Sequence, residues 1–113
     1  MTIIYHMADK DDWARATMSG SYPGSANDQK DGFIHFSSKD TVIESAAKHR
    51  AGEKNLLLIW IDDEVLGESL KWESARGGIL FPHLFDALDP GLIKGAEPLP
   101  LGDDGLHIFP ELK

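Results

Sequence analysis

Hydrophobic and polar positions along the chain predict strands and helices in mixed order. The β-branched and aromatic run at residues 2–8 favours a first strand. Asp9 and Gly20 then bracket a helix, because aspartate is a common N-cap residue and glycine a common residue just past a helix end. Residues 20–31 are rich in Gly, Ser, Asn and Asp, which predicts a long loop. The sequence GFIHFS at 32–37 predicts the second strand.

The rest of the chain predicts one more helix and several more strands. Residues 37–40 resemble a capping box that opens a helix running to about Arg50. The run at 55–62 is apolar on both faces, which is typical of a central strand covered on both sides. Pro82 interrupts the apolar run at 79–85 and favours an edge strand or a 3₁₀ segment there, because proline cannot donate to a sheet. With further strands in SLKWES and in LIKGAEPLPL, the pattern indicates an α+β fold with two helices on a mostly antiparallel or mixed sheet.

Length and composition place the chain among ordinary globular domains. Its 113 residues match one domain, 1–113, with 42 % hydrophobic and 27 % charged residues. The formal charge of −8 repels phosphate backbones and anionic membrane surfaces, and no basic cluster offsets it. We therefore expect neither a nucleic acid nor a membrane as partner.

Cysteine is absent, which excludes disulfides, thiol catalysis and thiolate metal sites. No apolar run approaches the roughly 20 residues of a membrane span, and no signal peptide is visible. A cytoplasmic protein is the default expectation. The oligomeric state is left open.

The strongest candidate chemistry is a pair of strand histidines. Side chains alternate across a strand, so His6 shares a face with Ile4, and His35 shares a face with Ser37. If the two strands lie side by side, His6 and His35 come within cross-strand reach, roughly 4.5–5.5 Å between β-carbons. With the Ser37 hydroxyl they would form a polar pocket. The alternative is that each histidine is a buried structural residue with a partner.

Three further residues are candidates. His83 follows Phe81 and Pro82 and could lie at the rim of a site or be a half-buried turn residue. Glu73 could act as a general base or hold a sugar hydroxyl, although a solvated strand glutamate is the simpler interpretation. Trp72 is a candidate ligand-binding ring that is more simply explained as a core-edge residue. The close-spaced histidine signatures of zinc sites are absent, so no metal is expected.

Five segments, IIYHMA, DGFIHFS, LKWE, GGILFPHLF and EPLPLGDDG, resemble in this order the bacterial domain-of-unknown-function 952 family. The resemblance covers nearly the whole chain. It implies an ADP-ribosylation-like fold, which is a split, mostly antiparallel sheet that binds NAD in the true enzymes.

The resemblance also implies roles for the candidates. His6 would hold a ribose hydroxyl, His35 and Ser37 would orient the pyrophosphate or nicotinamide, and Glu73 would stabilise the sugar cation. In this hypothesis the chain binds NAD or a related nucleotide and transfers or hydrolyses ADP-ribose, with His35 and Glu73 as catalytic residues and His6, Ser37, His83 and Trp72 as binding residues. The alternative is a non-enzymatic module that binds a small metabolite or a protein partner.

Overall fold

The computed structural model describes residues 2–112, apart from the side chain of Arg76. It has an α+β fold with two antiparallel sheets, which confirms the predicted fold class. The strands are β1 (Ile3–Asp9), β2 (Ile34–His35), β3 (Ser37–Ser38), β4 (Leu56–Asp62), β5 (Leu70–Ser74), β6 (Leu80–Leu84) and β7 (Gly95–Leu99). The helices are α1 (Lys10–Ser19), α2 (Ala26–Asp31) and α3 (Val42–His49), with 3₁₀ segments at Asp63–Ser69, Arg76–Gly78 and Pro90–Leu92.

The first sheet has the strand order β3-β1-β4-β7 and separates two apolar clusters. On one face of β1, Ile4 and Ala8 pack with α1 and with the second sheet. On the other face, Tyr5 and Met7 pack against α3 and the end of β7. Strand β4 lies between β1 and β7, so the prediction of a central strand at 55–62 is confirmed.

The second sheet has the order β2-β6-β5, which corrects the prediction for Pro82. Strand β6 is the central strand of this sheet, neither an edge strand nor a 3₁₀ segment. Pro82 is tolerated because β2 ends after two residues. The Pro82 carbonyl accepts from the Phe36 N–H at 3.0 Å, so the backbone edge that lacks an N–H faces the end of β2 and not β5.

The segment GFIHFS does not form one strand. Ile34 and His35 pair with β6 in the second sheet, whereas Ser37 and Ser38 pair with β1 in the first. Phe36, which is buried, is the crossing point between the sheets. The sequence hypothesis depended on the strands of His6 and His35 lying side by side; in the structure only Ser37 and Ser38 pair with β1, while His35 pairs with His83 of β6.

Two other local predictions differ from the structure. Residues 26–31 form α2, because Ser25 and Asp28 make a reciprocal capping box that the predicted loop did not include. The predicted capping box at 37–40 is absent: Ser37 and Ser38 form β3, and α3 begins after Thr41 without a side-chain cap. The helix at 10–19 is confirmed, with Asp9 accepting from two backbone N–H groups.

No helix within residues 2–112 combines the length and the apolar composition that crossing a bilayer requires.

Candidate functional site

A cavity of about 770 Å³ opens where the two sheets separate. Strand β1 is paired with β4 along its whole length, but β3 covers its other edge only at Ile4 and Tyr5. The uncovered part of β1 lines the cavity, together with α2, the crossing segment, α3 and β6. The three histidines predicted from the sequence, His6, His35 and His83, all lie in its wall.

Asp28, on α2, is the centre of the polar network in this wall. Its side chain is 4 % exposed and accepts hydrogen bonds from the backbone N–H of Ser25 at 2.7 Å and of His35 at 3.1 Å. Its Oδ1 also lies 2.5 Å from His35 Nδ1, and its Oδ2 lies 3.7 Å from His6 Nε2. Burial alone would raise the pKa of Asp28, but the His35 hydrogen bond, the nearby His6 and the two backbone donors lower it to about 2. Asp28 is therefore an ionised buried carboxylate.

His6 is buried, with a partner at each ring nitrogen. Nδ1 lies 2.6 Å from the His35 carbonyl oxygen, which can only accept, so Nδ1 carries a proton and donates. Nε2 lies 2.7 Å from the Tyr22 hydroxyl, which donates to the neutral ring. Burial lowers the pKa of His6 below its ordinary value, although the Asp28 carboxylate opposes the effect. Burial also raises the pKa of Tyr22, so the phenol stays protonated.

His35 lies between two carboxylates of α2. Nδ1 donates to Asp28, and Nε2 lies 3.1 Å from Asp31 Oδ2. The hydrogen bond with Asp28 raises the pKa of His35, against the opposing effect of burial. The surroundings thus favour the imidazolium form, in which both ring nitrogens donate.

His83 is held in a different way. Its Nδ1 lies 2.8 Å from Glu73 Oε1, on the neighbouring strand β5, and the carboxylate accepts the ring proton. In the neutral ring the unprotonated nitrogen is then Nε2, for which the described part of the chain offers no hydrogen-bond partner. The Phe33 ring stacks on His83 at a centroid distance of 4.1 Å and lies 4.5 Å from His35, so it fixes the space between them.

Comparison with known proteins places the chain in a family. The family model described as "Protein of unknown function (DUF952)" matches residues 7–95, which is more than half of the chain. The chain belongs to this family. No curated protein matches it.

The DUF952 domain is also similar to solved structures of protein CC0527 from Caulobacter crescentus, a structural genomics target. The crystal structure is 41 % identical, with a TM-score of 0.91, and the match covers 95 % of this chain and 94 % of the other. The solution structure of the same protein is 42 % identical, with a TM-score of 0.83, covering 94 % and 91 % of the two chains. These likenesses support the α+β architecture, and the ADP-ribosylation-like arrangement stays a prediction.

The other candidate residues from the sequence, Ser37, Glu73 and Trp72, differ in their relation to the cavity of this DUF952 domain. Ser37 is buried and lines the cavity. Glu73 reaches it through His83. Trp72 lies on the opposite face of β5 from Glu73, is 37 % exposed, and does not line the cavity.

Sequence reasoning missed Asp28, Tyr22, Ser45 and Arg50. Asp28 and Tyr22 lie in the segment predicted as a loop. The spacing Ser25-x-x-Asp28 was the available signal for α2, but it does not show that the same carboxylate binds a histidine seven residues later. Ser45 and Arg50 lie on a helix predicted from its apolar positions, where polar residues are ordinarily assigned to the solvent face.

One acidic cluster lies outside the cavity. Asp62, Asp63 and Glu64 bring three carboxylates close enough to share an ion. Two of these carboxylates already accept backbone hydrogen bonds, Asp62 from Glu64 N–H and Asp63 from Thr2 N–H. A strand-to-3₁₀ turn accounts for this arrangement without a ligand.

Proposed function

We propose that this DUF952 domain binds NAD or a related nucleotide in the cavity and transfers or hydrolyses its ADP-ribose. The observation that carries the proposal is that His83, held by Glu73, lines a cavity of about 770 Å³. This volume is within the roughly 300–1,000 Å³ range of small-molecule sites. An imidazole held by a carboxylate at one nitrogen, with the other nitrogen left for a ligand, is the arrangement of a general base.

The step assigned to His83 is a proton transfer. As a water or acceptor hydroxyl oxygen bonds to the ribose carbon, Nε2 takes its proton. The carbon–nitrogen bond to nicotinamide breaks at the same centre, and nicotinamide leaves as a neutral molecule with the bonding electrons. Glu73 then lies 2.8 Å from the imidazolium that forms and offsets its charge. His35 is less suited to the basic role, because Asp28 and Asp31 favour its protonated form.

The acidic side chains of the cavity support a sugar as the ligand's central group. Asp9, Asp12 and Asp31 all line it, and carboxylate oxygens accept hydrogen bonds from hydroxyl groups. His6 would contact a ribose hydroxyl only after giving up one of its two protein partners.

The test combines cleavage and binding. We expect nicotinamide to be released from NAD, and millimolar NAD to raise the melting temperature by mass action.

His83→Asn should lower the rate of nicotinamide release about 100-fold or more, which is the low end of a general base's contribution. Glu73→Gln keeps an acceptor for His83 Nδ1 but removes the negative charge. Its rate should therefore lie between those of the parent protein and of His83→Asn. His107→Asn is the matched control, because His107 binds the Glu53 carbonyl and does not line the cavity. Absence of both nicotinamide release and thermal stabilisation would refute the proposal.

A non-enzymatic binding module is the second candidate. It is favoured by the occupied ring nitrogens of His6 and His35, all four of which already contact protein atoms. Thermal stabilisation by NAD without release of nicotinamide, in the parent protein and in His83→Asn alike, would support this candidate over the enzyme.

A further inference from the structure

We propose that the α3 side of the cavity is a subsite for one oxyanion group, a carboxylate or a phosphate, bound by Ser37, Ser45 and Arg50. The subsite lies in the cavity of the proposed function and names the anionic group of its ligand. It does not depend on that ligand being NAD.

Two buried hydroxyls without partners are the first observation. Ser37 is 7 % exposed and Ser45 is 6 % exposed, and both line the cavity. Neither hydroxyl has a hydrogen-bond partner within the described residues, and neither oxygen is sealed from the cavity. Buried hydroxyls are ordinarily satisfied, because leaving one unpaired costs free energy. Since both oxygens are open to the cavity, a ligand that displaces water from it must either hydrogen-bond to them or leave them unpaired.

The backbone places these hydroxyls on the same side of the first sheet. Ser37 lies directly opposite Tyr5 in the β3–β1 ladder, so their side chains share a face. That face is covered by α3, whose Val42 and Ala46 pack with Tyr5 and Met7. Ser45, one helical turn after Val42, borders the same space.

The Arg50 guanidinium supplies the charge. Its Nη1 donates to the Met7 carbonyl at 3.2 Å, on the edge of β1 that β3 leaves uncovered. Its Nε donates to Glu53 at 2.9 Å. A guanidinium has five N–H donors, so these two bonds fix its position and leave donors for a ligand.

The surrounding charges limit the ligand to a small anion at this position. Glu53 neutralises part of the Arg50 charge, and the carboxylates of Asp9 and Asp12 also line the cavity. Of the arginines whose side chains the structure describes, Arg50 alone lines the cavity. One oxyanion accepting from Arg50 and from two neutral hydroxyls suits this balance, and in NAD that oxyanion is one of the two phosphates.

The experiment is an NMR titration of the full chain with sodium phosphate, sodium acetate and sodium chloride at matched ionic strength. We expect saturable shifts of the Ser37, Ser45 and Arg50 amides with phosphate, with acetate or with both, and none with chloride. Phosphate alone identifies a phosphate group, acetate alone a carboxylate, and both a general oxyanion site.

Variants assign the binding to the hydroxyls. The double variant Ser37→Ala/Ser45→Ala should weaken anion binding about fivefold or more, the equivalent of roughly one hydrogen bond. It should melt at the same temperature as the parent or higher, because no protein hydrogen bond is lost. Ser21→Ala, an exposed serine outside the cavity, and Lys48→Gln, a charge change on α3 outside the cavity, are the controls.

Three results would overturn the subsite: no saturable shift with either oxyanion, an unchanged affinity in the double variant, or a lowered melting temperature that reveals a structural role for the hydroxyls. If the double variant does not fold, Ser45→Ala alone gives the same comparison. Anion binding without NAD binding would leave the subsite standing and refute NAD as the ligand. If NAD binds equally well to the parent and to the double variant, and neither oxyanion causes shifts, the subsite is refuted and NAD stands as the ligand.

Discussion

At the scale of single residues, Asp28 organises the cavity wall. One carboxylate accepts from Ser25 N–H, from His35 N–H and from the His35 ring, and it lies close to His6. Asp28 joins His6 to His35, whereas the pairing of β2 with β6 places His83 directly opposite His35. The idea of a pocket containing His6 and His35 therefore agrees with the geometry, while the reason given for it does not.

Replacing Asp28 with Asn tests this central role. We expect the free energy of unfolding to fall by about 2–4 kcal/mol, because the change leaves His35 without its buried anion and aims amide hydrogens at backbone donors. Asp31→Asn removes the other carboxylate bound to His35, but that side chain is 42 % exposed, so its cost should stay within about 1 kcal/mol. Urea unfolding of both variants makes the comparison, and equal losses would contradict it.

At the scale of elements, the site exists because one short segment divides between two sheets. Residues 34–35 join β6 and residues 37–38 join β1, so the edge of β1 beyond Tyr5 is left to face a cavity. Helix α2 then covers the His35 side of the opening with Asp28 and Asp31. The turn that leads into α2 includes Gly24, which is buried at φ +92°.

Gly24→Ala tests how closely α2 must approach the sheet. An added Cβ would lie 2.7 Å from Asp28 Cβ and 2.9 Å from its Oδ2, in a backbone region that alanine adopts at a cost. We expect a loss of about 3 kcal/mol or more in unfolding free energy.

Gly20→Ala is the control that measures the cost of the left-handed backbone conformation without a steric contact. Gly20 has a similar φ of +86°, but nothing lies within 4 Å of an added Cβ. It should cost only about 1–2 kcal/mol, the cost of the left-handed conformation alone. Similar losses at the two glycines would show that steric contact with Asp28 is unimportant.

At the scale of the whole molecule, the cavity groups make stability depend on pH in opposite directions. The raised pKa of His35 gives a contribution that is complete below the ordinary value of 6.5 and is lost as pH rises through the folded-state pKa. The lowered pKa of His6 removes stability as pH falls below 6.5, because the unfolded chain then binds the extra proton. Asp28, with its pKa lowered to about 2, adds stability above 3.8 that is lost as pH falls towards 2.

These signs predict that the combined contribution of the three groups is greatest near pH 6.5 and declines on both sides. In urea unfolding between pH 4 and 9, the stability difference between the parent and His35→Gln should narrow as pH rises, because the parent loses its imidazolium. A difference that stays constant across this range would contradict the assignment of His35 as the protonated ring.

The sequence by itself determined the elements whose signals are local. The helix at 10–19 follows from its Asp9 cap and the glycine beyond it, and the central position of 55–62 follows from apolar residues on both faces. Only the tertiary structure determined which strands GFIHFS pairs with and which acid binds His35. It also placed Pro82 in a central strand, where the end of β2 leaves its missing N–H without a partner to satisfy. A two-residue strand has too few hydrogen bonds to select its own partner, so the surrounding packing selects it. Asp28 lies only seven residues before His35, but the contact forms because α2 folds back against β2, and no periodicity in the chain encodes that approach.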